Sequence, residues 1–429
     1  MKTNLLAVAL CSLATLVHAE PPPPLVPVDL DHWIPRNPGT NADDFHLTAI
    51  AYGSGTFVAV GSQGPDSVAS IVTSPDGAAW TRQNDFASAF PSGLSDITYG
   101  GGKFVAVGSL DHAALLLTSS DGKEWSQSSS NISGAPVSVT YGNGTFVAVG
   151  SVWSENVGQY FASILTSPDG TTWTEQHRVG SNAHLRCVAY GNGLFVAGGY
   201  QYVAPDLHGI ILTSPDGSTW TSQSAGTNTT YGPNKIAHGN GVFVAVGVRR
   251  FMGFSFVTVM TSPDGITWST SFGARFIYSV FFANGTFVAV GGDCYDGAVC
   301  DSAIHTSPDG VTWTRRYYAS DSSGSYRYLQ AIGFGNGSFV AVGSGGMILQ
   351  SGTGVQFNST ASVRFGDGTM RLVLGAQTGA VLELEASTNL VDWIPLATLT
   401  NTLGTVDFLD QTATSFNRRF YRARQVSPQ

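Results

Sequence analysis

The chain has 429 residues, a formal net charge of −9 and only 11% charged residues. The acidic balance argues against nucleic acid as a partner. High glycine content with few charges is typical of a secreted all-β protein. No zinc-type Cys/His spacing, phosphate loop or nucleophile elbow occurs, so the sequence predicts no cofactor and no metal.

Residues 1–19 have the form of a secretory signal. Lys2 precedes an apolar run from Leu5 to Val17, and a cleavage site with small residues ends near Ala19. The run is too short to span a bilayer. Residues 20–28 are proline-rich and indicate an extended tether. We therefore expect a secreted or periplasmic protein without membrane insertion.

One stretch then recurs along the chain, most clearly as Tyr141–Gly150 followed by Ile164–Trp173. Its Asn143-Gly144 pair suits a two-residue hairpin turn, because both central residues of that turn need positive φ. In Ser167–Gly170, proline presets φ, aspartate bonds its own turn backbone and glycine takes the left-handed position. Each copy thus predicts two hairpins, which make one four-stranded sheet.

Seven copies occur at a period of about 45 residues, within the range of propeller blades. Their central phenylalanines are Phe57, Phe104, Phe146, Phe195, Phe243, Phe287 and Phe339. The aspartates of their second turns are Asp76, Asp121, Asp169, Asp216, Asp264 and Asp309. Because stacked sheets need a closed ring to bury their end faces, residues 29–357 are predicted to form a seven-bladed β-propeller.

The seventh copy lacks the Ser-Pro-Asp-Gly turn and the closing tryptophan. The segment Asp31–Arg36, with Trp33, resembles a last blade strand. We predict that this N-terminal strand closes the ring. The alternative is that Val355–Phe357 provides the strand and Trp33 packs elsewhere.

Residues 358–429 lack this pattern and alternate as half-buried strands, among them Met370–Leu374 and Val381–Ala386. They predict a small Ig- or fibronectin-like β-sandwich. Of the cysteines, Cys294 and Cys300 flank a short loop and predict a disulfide. Cys187 is interpreted as a small buried core residue.

The Ser-Pro-Asp-Gly-x-Thr-Trp turn resembles the Asp-box of sialidase-like (BNR) propellers, with one residue fewer between Asp and Gly. The resemblance covers most of residues 33–357 and implies a structural turn on the face away from any active site. The sialidase catalytic set has no counterpart in this sequence. The stretch Leu384–Leu399 and the closing Arg418–Ala423 resemble a module that ends many secreted Verrucomicrobia and Planctomycetes proteins. That resemblance implies a bacterial exported protein and an accessory role for the domain.

Function is expected on the opposite face, where the connections vary in length and composition. Aromatic residues there suit sugar faces, and arginines suit carboxylate or sulfate. The candidate ligand-binding rim residues are Trp153, Tyr160, Tyr200, Tyr202, His208, Arg249, Arg250, Arg275, Tyr295, Arg316, Tyr326 and Arg327. Tyr317 lies in the same set of variable segments.

Three functions remain open. The preferred hypothesis is a monomeric binding protein that engages a glycan or a surface protein through this rim. The first alternative is a polysaccharide-acting enzyme, a glycoside hydrolase or lyase, which needs suitably placed carboxylates. Glu155 and Glu175 are its candidate catalytic residues. The second alternative is a structural surface protein.

Overall fold

The computed structural model describes residues 28–38, 45–64, 68–83, 93–110, 113–128, 132–223, 232–251, 254–272, 277–295, 299–321, 327–353, 356–357, 362–376, 380–402 and 405–426. The predicted signal peptide and nearly all of the tether lie outside these residues. The described chain is all-β apart from one short 3-10 helix, Gln411–Ser415.

Within the described residues, seven four-stranded antiparallel sheets follow one another and are numbered here in chain order. Sheets 1 to 3 contain β2 (Phe45–Gly53), β3 (Thr56–Gln63), β4 (Val68–Ser74) and β5 (Thr81–Arg82); β6 (Leu94–Gly100), β7 (Lys103–Leu110), β8 (Ala113–Ser119) and β9 (Ser126–Gln127); and β10 (Ala135–Gly142), β11 (Thr145–Ser154), β12 (Gln159–Ser167) and β13 (Thr174–Ser181).

Sheets 4 to 6 repeat this order, and sheet 7 takes its last strand from the N-terminal segment. They contain β14 (Ala183–Gly191), β15 (Leu194–Val203), β16 (Asp206–Ser214) and β17 (Thr221–Gln223); β18 (Pro233–Gly239), β19 (Val242–Phe251), β20 (Phe254–Ser262) and β21 (Ser269–Phe272); β22 (Ser279–Ala283), β23 (Thr286–Tyr295), β24 (Val299–Ser307) and β25 (Thr314–Asp321); and β26 (Leu329–Gly335), β27 (Ser338–Gly343), β28 (Ile348–Thr353) and β1 (Val28–Arg36).

The first strands of consecutive sheets contact one another, and β26 of sheet 7 contacts β2 of sheet 1. The apolar second strands provide the core between sheets: the repeated phenylalanine, such as Phe146 or Phe195, is completely or almost completely buried. An aromatic residue at the end of each first strand packs on it, as Tyr141 does at 4.6 Å from Phe146. This repeated architecture is propeller-like.

The first hairpin turn has the predicted chemistry. Asn143 has φ of 47° and Gly144 has φ of 74°. Asn192, Asn240, Asn284 and Asn336 take the same conformation in other copies. Both central residues therefore have the positive φ that favours Asn-Gly in this turn.

The second turn is a local hydrogen-bond network around its aspartate. Oδ1 of Asp169 accepts from the backbone N–H of Thr171 at 2.8 Å and Thr172 at 2.7 Å. The Ser167 Oγ donates to the same oxygen at 3.0 Å, and the Trp173 indole N–H donates to the Gly170 carbonyl at 2.9 Å. In sheet 5, the N–H groups of Thr267 and Ile266 lower the pKa of Asp264 to about 2. The carboxylates of these aspartates therefore accept hydrogen bonds within their own turns.

Strand β1 completes sheet 7. It pairs antiparallel with β28, from Val28 opposite Thr353 to Arg36 opposite Ile348. Gln356–Phe357 pair instead with a strand of the C-terminal region, so the alternative in which they close sheet 7 is wrong.

The N-terminal segment also rebuilds the missing turn of the seventh copy. Oδ1 of Asp29 accepts from the backbone N–H of Asp31 at 3.0 Å, and the Trp33 indole N–H donates to the Leu30 carbonyl at 2.9 Å. The Arg36 Nε donates to Gln350 Oε1 at 2.9 Å, where other sheets join Gln83 to Thr73 or Gln176 to Thr166. Trp33 therefore occupies the position of the closing tryptophan.

The C-terminal region contains two further sheets. One contains β29 (Gln356–Phe357), β31 (Met370–Gly375), β30 (Val363–Arg364) and β34 (Thr405–Asp410), and the other β33 (Ile394–Thr400), β32 (Val381–Ser387) and β35 (Phe420–Val426). Leu372 and Leu374 of one sheet share a buried cluster with Leu382 and Leu384 of the other.

This region also contains a turn of the propeller type with asparagine in place of aspartate. Oδ1 of Asn389 accepts from the backbone N–H of Val391 at 2.9 Å and Asp392 at 2.8 Å. The Ser387 Oγ bonds the Asn389 amide oxygen, as Ser167 bonds Asp169. An amide oxygen can thus replace the carboxylate in this network.

We therefore predict that Asp169→Asn is tolerated and Asp169→Ala is not. Alanine leaves two backbone N–H groups without their acceptor and should lower the free energy of unfolding by about 1 to 2 kcal/mol, whereas asparagine should change it by less than about 0.5 kcal/mol. Urea unfolding measures both, with Asp206→Ala, at an exposed aspartate outside these turns, as control. If Asp169→Asn and Asp169→Ala lowered the free energy of unfolding equally, the negative charge and not the hydrogen-bond acceptor would stabilise the turn.

Candidate functional site

The variable face has a row of contacting aromatic rings across sheets 3 and 4, which meet edge-to-face, tilted or stacked. Trp153 and Tyr160 lie directly opposite each other on β11 and β12, with ring centroids 4.9 Å apart. His184 and Tyr200 also lie directly opposite each other, on β14 and β15, and their rings stack with centroids 5.0 Å apart. The Tyr160 and His184 rings, also 5.0 Å apart, join the two sheets.

An arginine ends this row. The Arg186 guanidinium lies 4.7 Å from the Tyr200 ring centroid and donates to the Asn234 side-chain oxygen of sheet 5 at 2.7 Å. We call Trp153, Tyr160, His184, Tyr200 and Arg186 the aromatic ladder. Cross-strand register places each pair, and the sheet-to-sheet packing aligns the pairs.

The outer half of the aromatic ladder faces solvent. Trp153 is 45% exposed and Tyr160 is 38% exposed. Burial, with a smaller effect from the Arg186 charge, lowers the pKa of His184. The His184 ring is therefore neutral at neutral pH. The exposed surfaces of Trp153 and Tyr160 can accept an apolar part of a ligand, and the arginine end can accept hydrogen-bond acceptors.

A second polar feature lies among the first strands of the sheets. A cavity of about 190 Å³ is lined by the first strands of all seven sheets. Asp96 is 4% exposed, and the Lys235 ammonium lies 3.0 Å from its Oδ2. The Ser138 Oγ and the Val139 N–H donate to the same oxygen at 2.8 and 3.1 Å. We call Asp96, Ser138 and Lys235 the axial cluster.

These residues occupy one repeated position, three residues before the aromatic residue that ends the first strand. The seven residues at this position are Ala49, Asp96, Ser138, Cys187, Lys235, Ser279 and Ala331. Cys187 is completely buried, and burial raises the pKa of its thiol to about 12. This supports its interpretation as a core residue. The axial cluster links sheets 2, 3 and 5 and is not open to a large ligand.

The two candidate catalytic glutamates have different surroundings. Glu155 lies exposed in the turn between β11 and β12. Glu175 lies on the outer strand β13, where the Arg178 guanidinium bonds both its oxygens at 2.7 and 2.9 Å. Glu175 is thus already paired with an arginine.

Other predicted rim residues fall into three groups. Tyr202 and His208 are exposed near the ends of β15 and β16, outside the aromatic ladder. Arg316 bonds the Thr306 hydroxyl and forms an ion pair with Asp31 at 2.8 Å, which makes it a link between sheets 6 and 7. Arg327 lines a separate cavity beside sheet 7.

For some predicted residues the structure describes only the backbone, and others lie outside the described residues. Arg249, Arg250 and Tyr295 lie on β19 and β23. Cys294 and Cys300 lie directly opposite each other in the register of β23 and β24, a backbone arrangement compatible with the predicted disulfide. Arg275 and Tyr326 lie outside the described residues.

Sequence reasoning missed His184, Arg186 and the axial cluster because all lie on first strands, inside the repeat. The available signal was a departure from the repeat itself. Arg186 stands where Thr48 and Val137 stand in other copies, and Asp96 stands where Ala49 and Ala331 stand.

Two further features are absent from the described residues. No group of three or more His, Cys, Asp or Glu in that part of the chain is arranged to hold a metal ion. No helix within the same residues is long and apolar enough to cross a membrane.

No known protein family and no curated protein match this sequence. Among solved structures, virginiamycin B lyase from Staphylococcus aureus has a TM-score of 0.53 at 12% identity, covering 75% of this chain and 99% of its own. The computationally designed Ika8 protein has a TM-score of 0.44 at 12% identity, covering 76% and 100%. A GH43 β-1,3-galactosidase has a TM-score of 0.37 at 11% identity, covering 54% and 95%. These likenesses concern the fold alone.

The sheet topology and the likeness to virginiamycin B lyase define the structural class of this chain. The chain is an all-β protein of repeated four-stranded antiparallel sheets with a propeller-like fold.

Proposed function

We propose that this is an exported, monomeric glycan-binding protein that holds its ligand on the aromatic ladder. In this proposal the seven sheets are blades of one closed β-propeller, and the C-terminal region is an accessory β-sandwich. The observation that carries the proposal is the continuous row of contacting rings from Trp153 to Tyr200, which ends at Arg186 and is exposed at its outer end.

The chemistry of the aromatic ladder favours a saccharide chain. A sugar ring has an apolar face that stacks on an aromatic ring, and its hydroxyls seek hydrogen-bond partners at the ring edges. Successive ring centroids of 4.9 to 5.0 Å give a row several rings long. The tyrosine hydroxyls and the Arg186 guanidinium provide polar groups beside it. An extended glycan can therefore contact both sheets at once.

A protein partner is the competing occupant, because tryptophan, tyrosine and arginine also dominate protein interfaces. A polysaccharide-acting enzyme has less support. Hydrolysis of a glycosidic bond needs two carboxylates across the scissile bond. Glu175 is held by Arg178, and Glu155 lies in an exposed turn.

The test is binding to a glycan array, followed by titration of the best ligand. We expect Trp153→Ala and Tyr160→Ala each to weaken binding about tenfold or more, because each removes a stacking surface worth about 1 to 2 kcal/mol. The matched control is Tyr202→Ala, since Tyr202 is 47% exposed on the same face but lies outside the aromatic ladder. Tryptophan fluorescence should report the ligand in the native protein and lose that response in Trp153→Ala.

Three outcomes would overturn the proposal. Equal weakening by Tyr202→Ala would remove the special role of the aromatic ladder. Turnover of a polysaccharide that is abolished by Glu155→Gln would make the protein an enzyme. Absence of any array ligand, with capture of a protein through Trp153, would favour the competing occupant.

A further inference from the structure

Arg186 lies at a β-bulge on the first strand of sheet 4. The pairing of β14 with β15 shifts between Leu185 and Cys187, so Arg186 is the extra residue of the bulge. The first strands of sheets 1, 2, 3, 5 and 7 have the same bulge, and their extra residues are Thr48, Ser95, Val137, Asn234 and Gln330. A bulge turns a side chain out of the regular alternation of its strand and is common beside functional sites. Arg186 is the charged member of these six residues.

Two contacts hold the Arg186 guanidinium in place. The guanidinium lies 4.7 Å from the centroid of the Tyr200 ring, and its Nη1 donates to the Asn234 Oδ1 at 2.7 Å. Asn234 is the extra residue of the neighbouring bulge, so two adjacent bulges fix the charged group together. A guanidinium has five N–H groups, and the bond to Asn234 uses one of them. Because the Arg186 side chain is exposed, other N–H groups are accessible to a ligand.

No carboxylate among the described residues neutralises Arg186. By contrast, the exposed Arg178 guanidinium is paired with Glu175. The rings of the aromatic ladder carry no carboxylate either, and the nearest acid along the chain, Glu155, follows Trp153 at the other end of the row. The aromatic ladder therefore has a positive end at sheet 4. A guanidinium that is already held in place loses little conformational freedom when it pairs with an anionic group of a ligand.

We propose that the glycan on the aromatic ladder is anionic, and that Arg186 binds its uronate carboxylate or sulfate ester. This inference rests on the proposed glycan-binding function and adds the substrate class. The saccharide unit with the anionic group lies at the sheet 4 end, and neutral units lie toward Trp153 and Tyr160. In the row, His184 and Tyr200 separate Tyr160 from Arg186, at successive distances of 4.7 to 5.0 Å. The suitable probe is therefore an oligosaccharide and not a single sugar.

The probes are three acidic tetrasaccharides and their neutral counterparts, each titrated calorimetrically against the full chain. Tetragalacturonate and tetramannuronate are compared with their methyl esters, and a sulfated galactan tetrasaccharide is compared with its desulfated form. We expect at least one acid to bind about tenfold more tightly than its neutral counterpart, since neutralisation removes a charge-assisted hydrogen bond. The uronate and sulfate pairs show which anionic group the site prefers.

Arg186→Gln should remove this preference, so that the acid and its neutral counterpart bind with equal affinity. Glutamine is compatible with the bulge, because Gln330 occupies the corresponding position in sheet 7. The matched control is Arg315→Gln, which should keep the native preference. Arg315 is also exposed and lies over a tyrosine ring, that of Tyr318 at 5.2 Å, but it belongs to the outer strand β25 of sheet 6.

Trp153→Ala separates this inference from the proposed function. It should weaken the acid and its neutral counterpart by the same factor, because it removes an apolar contact that both make. Equal native affinity within every pair, or a preference for the acid that survives in Arg186→Gln, would overturn the anionic ligand. Failure of all three acids to bind would also overturn it, whereas a neutral array ligand that depends on Trp153 would still support the proposed function.

Discussion

Trp33→Ala is expected to lower the free energy of unfolding by about 3 to 4 kcal/mol, a loss typical of truncating a buried tryptophan. Trp33 is 8% exposed and packs with Val288, Phe339 and Leu349 of sheets 6 and 7. Without the Trp33 ring, β1 retains its ladder hydrogen bonds but loses most of the apolar surface that holds the strand to the sheets. Urea unfolding followed by far-ultraviolet circular dichroism measures the loss.

His32→Ala on the same strand is the control. His32 is exposed and contacts Asp29 at the surface, where such pairs are worth no more than about 1 kcal/mol. If Trp33→Ala unfolds like the native chain, β1 is not part of the cooperative unit, and the assignment of Trp33 to the closing position has no energetic meaning.

Lys235→Ala should lower the free energy of unfolding by about 3 kcal/mol, because it leaves the buried Asp96 carboxylate without its cation. Asp96→Ala should lower it by about 2 kcal/mol, since Lys235 is partly exposed and can turn to water. Alanine is a compatible residue at this position, because Ala49 and Ala331 occupy it in sheets 1 and 7.

The double variant decides between a coupled pair and two independent side chains. If Asp96 and Lys235 interact, their combined removal should be less damaging than the two single losses together, by about 1 to 3 kcal/mol. Ser279→Ala, at the same repeated position in sheet 6, is the control and should change stability by less than about 1 kcal/mol. Strictly additive losses would show that the ion pair contributes nothing to the axial cluster.

The turns were predictable because their chemistry is local. Asn143-Gly144 needs positive φ at two adjacent residues, and Asp169 finds its donors two and three residues ahead. Trp33 was placed in a last strand because the segment Asp31–Arg36 resembles such a strand with its tryptophan, and the seventh copy lacks one. The related turn at Asn389 was less visible, because asparagine replaces the aspartate and Leu390, with φ of 64°, replaces the glycine.

The candidate site was only partly predictable because its contacts are distant in sequence. Trp153, Tyr160 and Tyr200 were found because they depart from the repeat near its variable connections. His184 and Arg186 lie within a repeated strand, and only the packing of sheet 3 on sheet 4 brings them into line. Likewise, Asp96 and Lys235 are 139 residues apart, and no local pattern pairs them.

The N-terminal completion of sheet 7 fixes the order in which the chain can finish folding. Arg36 and its partner Gln350 are 314 residues apart. Strand β1 is therefore synthesised first and cannot pair with β28 until the strands of the other sheets have been synthesised. Bringing ends that distant together carries an entropic cost of about 5 kcal/mol in a flexible chain, but far less once intermediate sheets have folded and shortened the gap. A nascent or truncated chain that stops before Ile348 therefore has an unpaired strand at its beginning. Such chains should be recognisable to proteases and prone to edge-to-edge association, whereas chains that reach Thr353 are not.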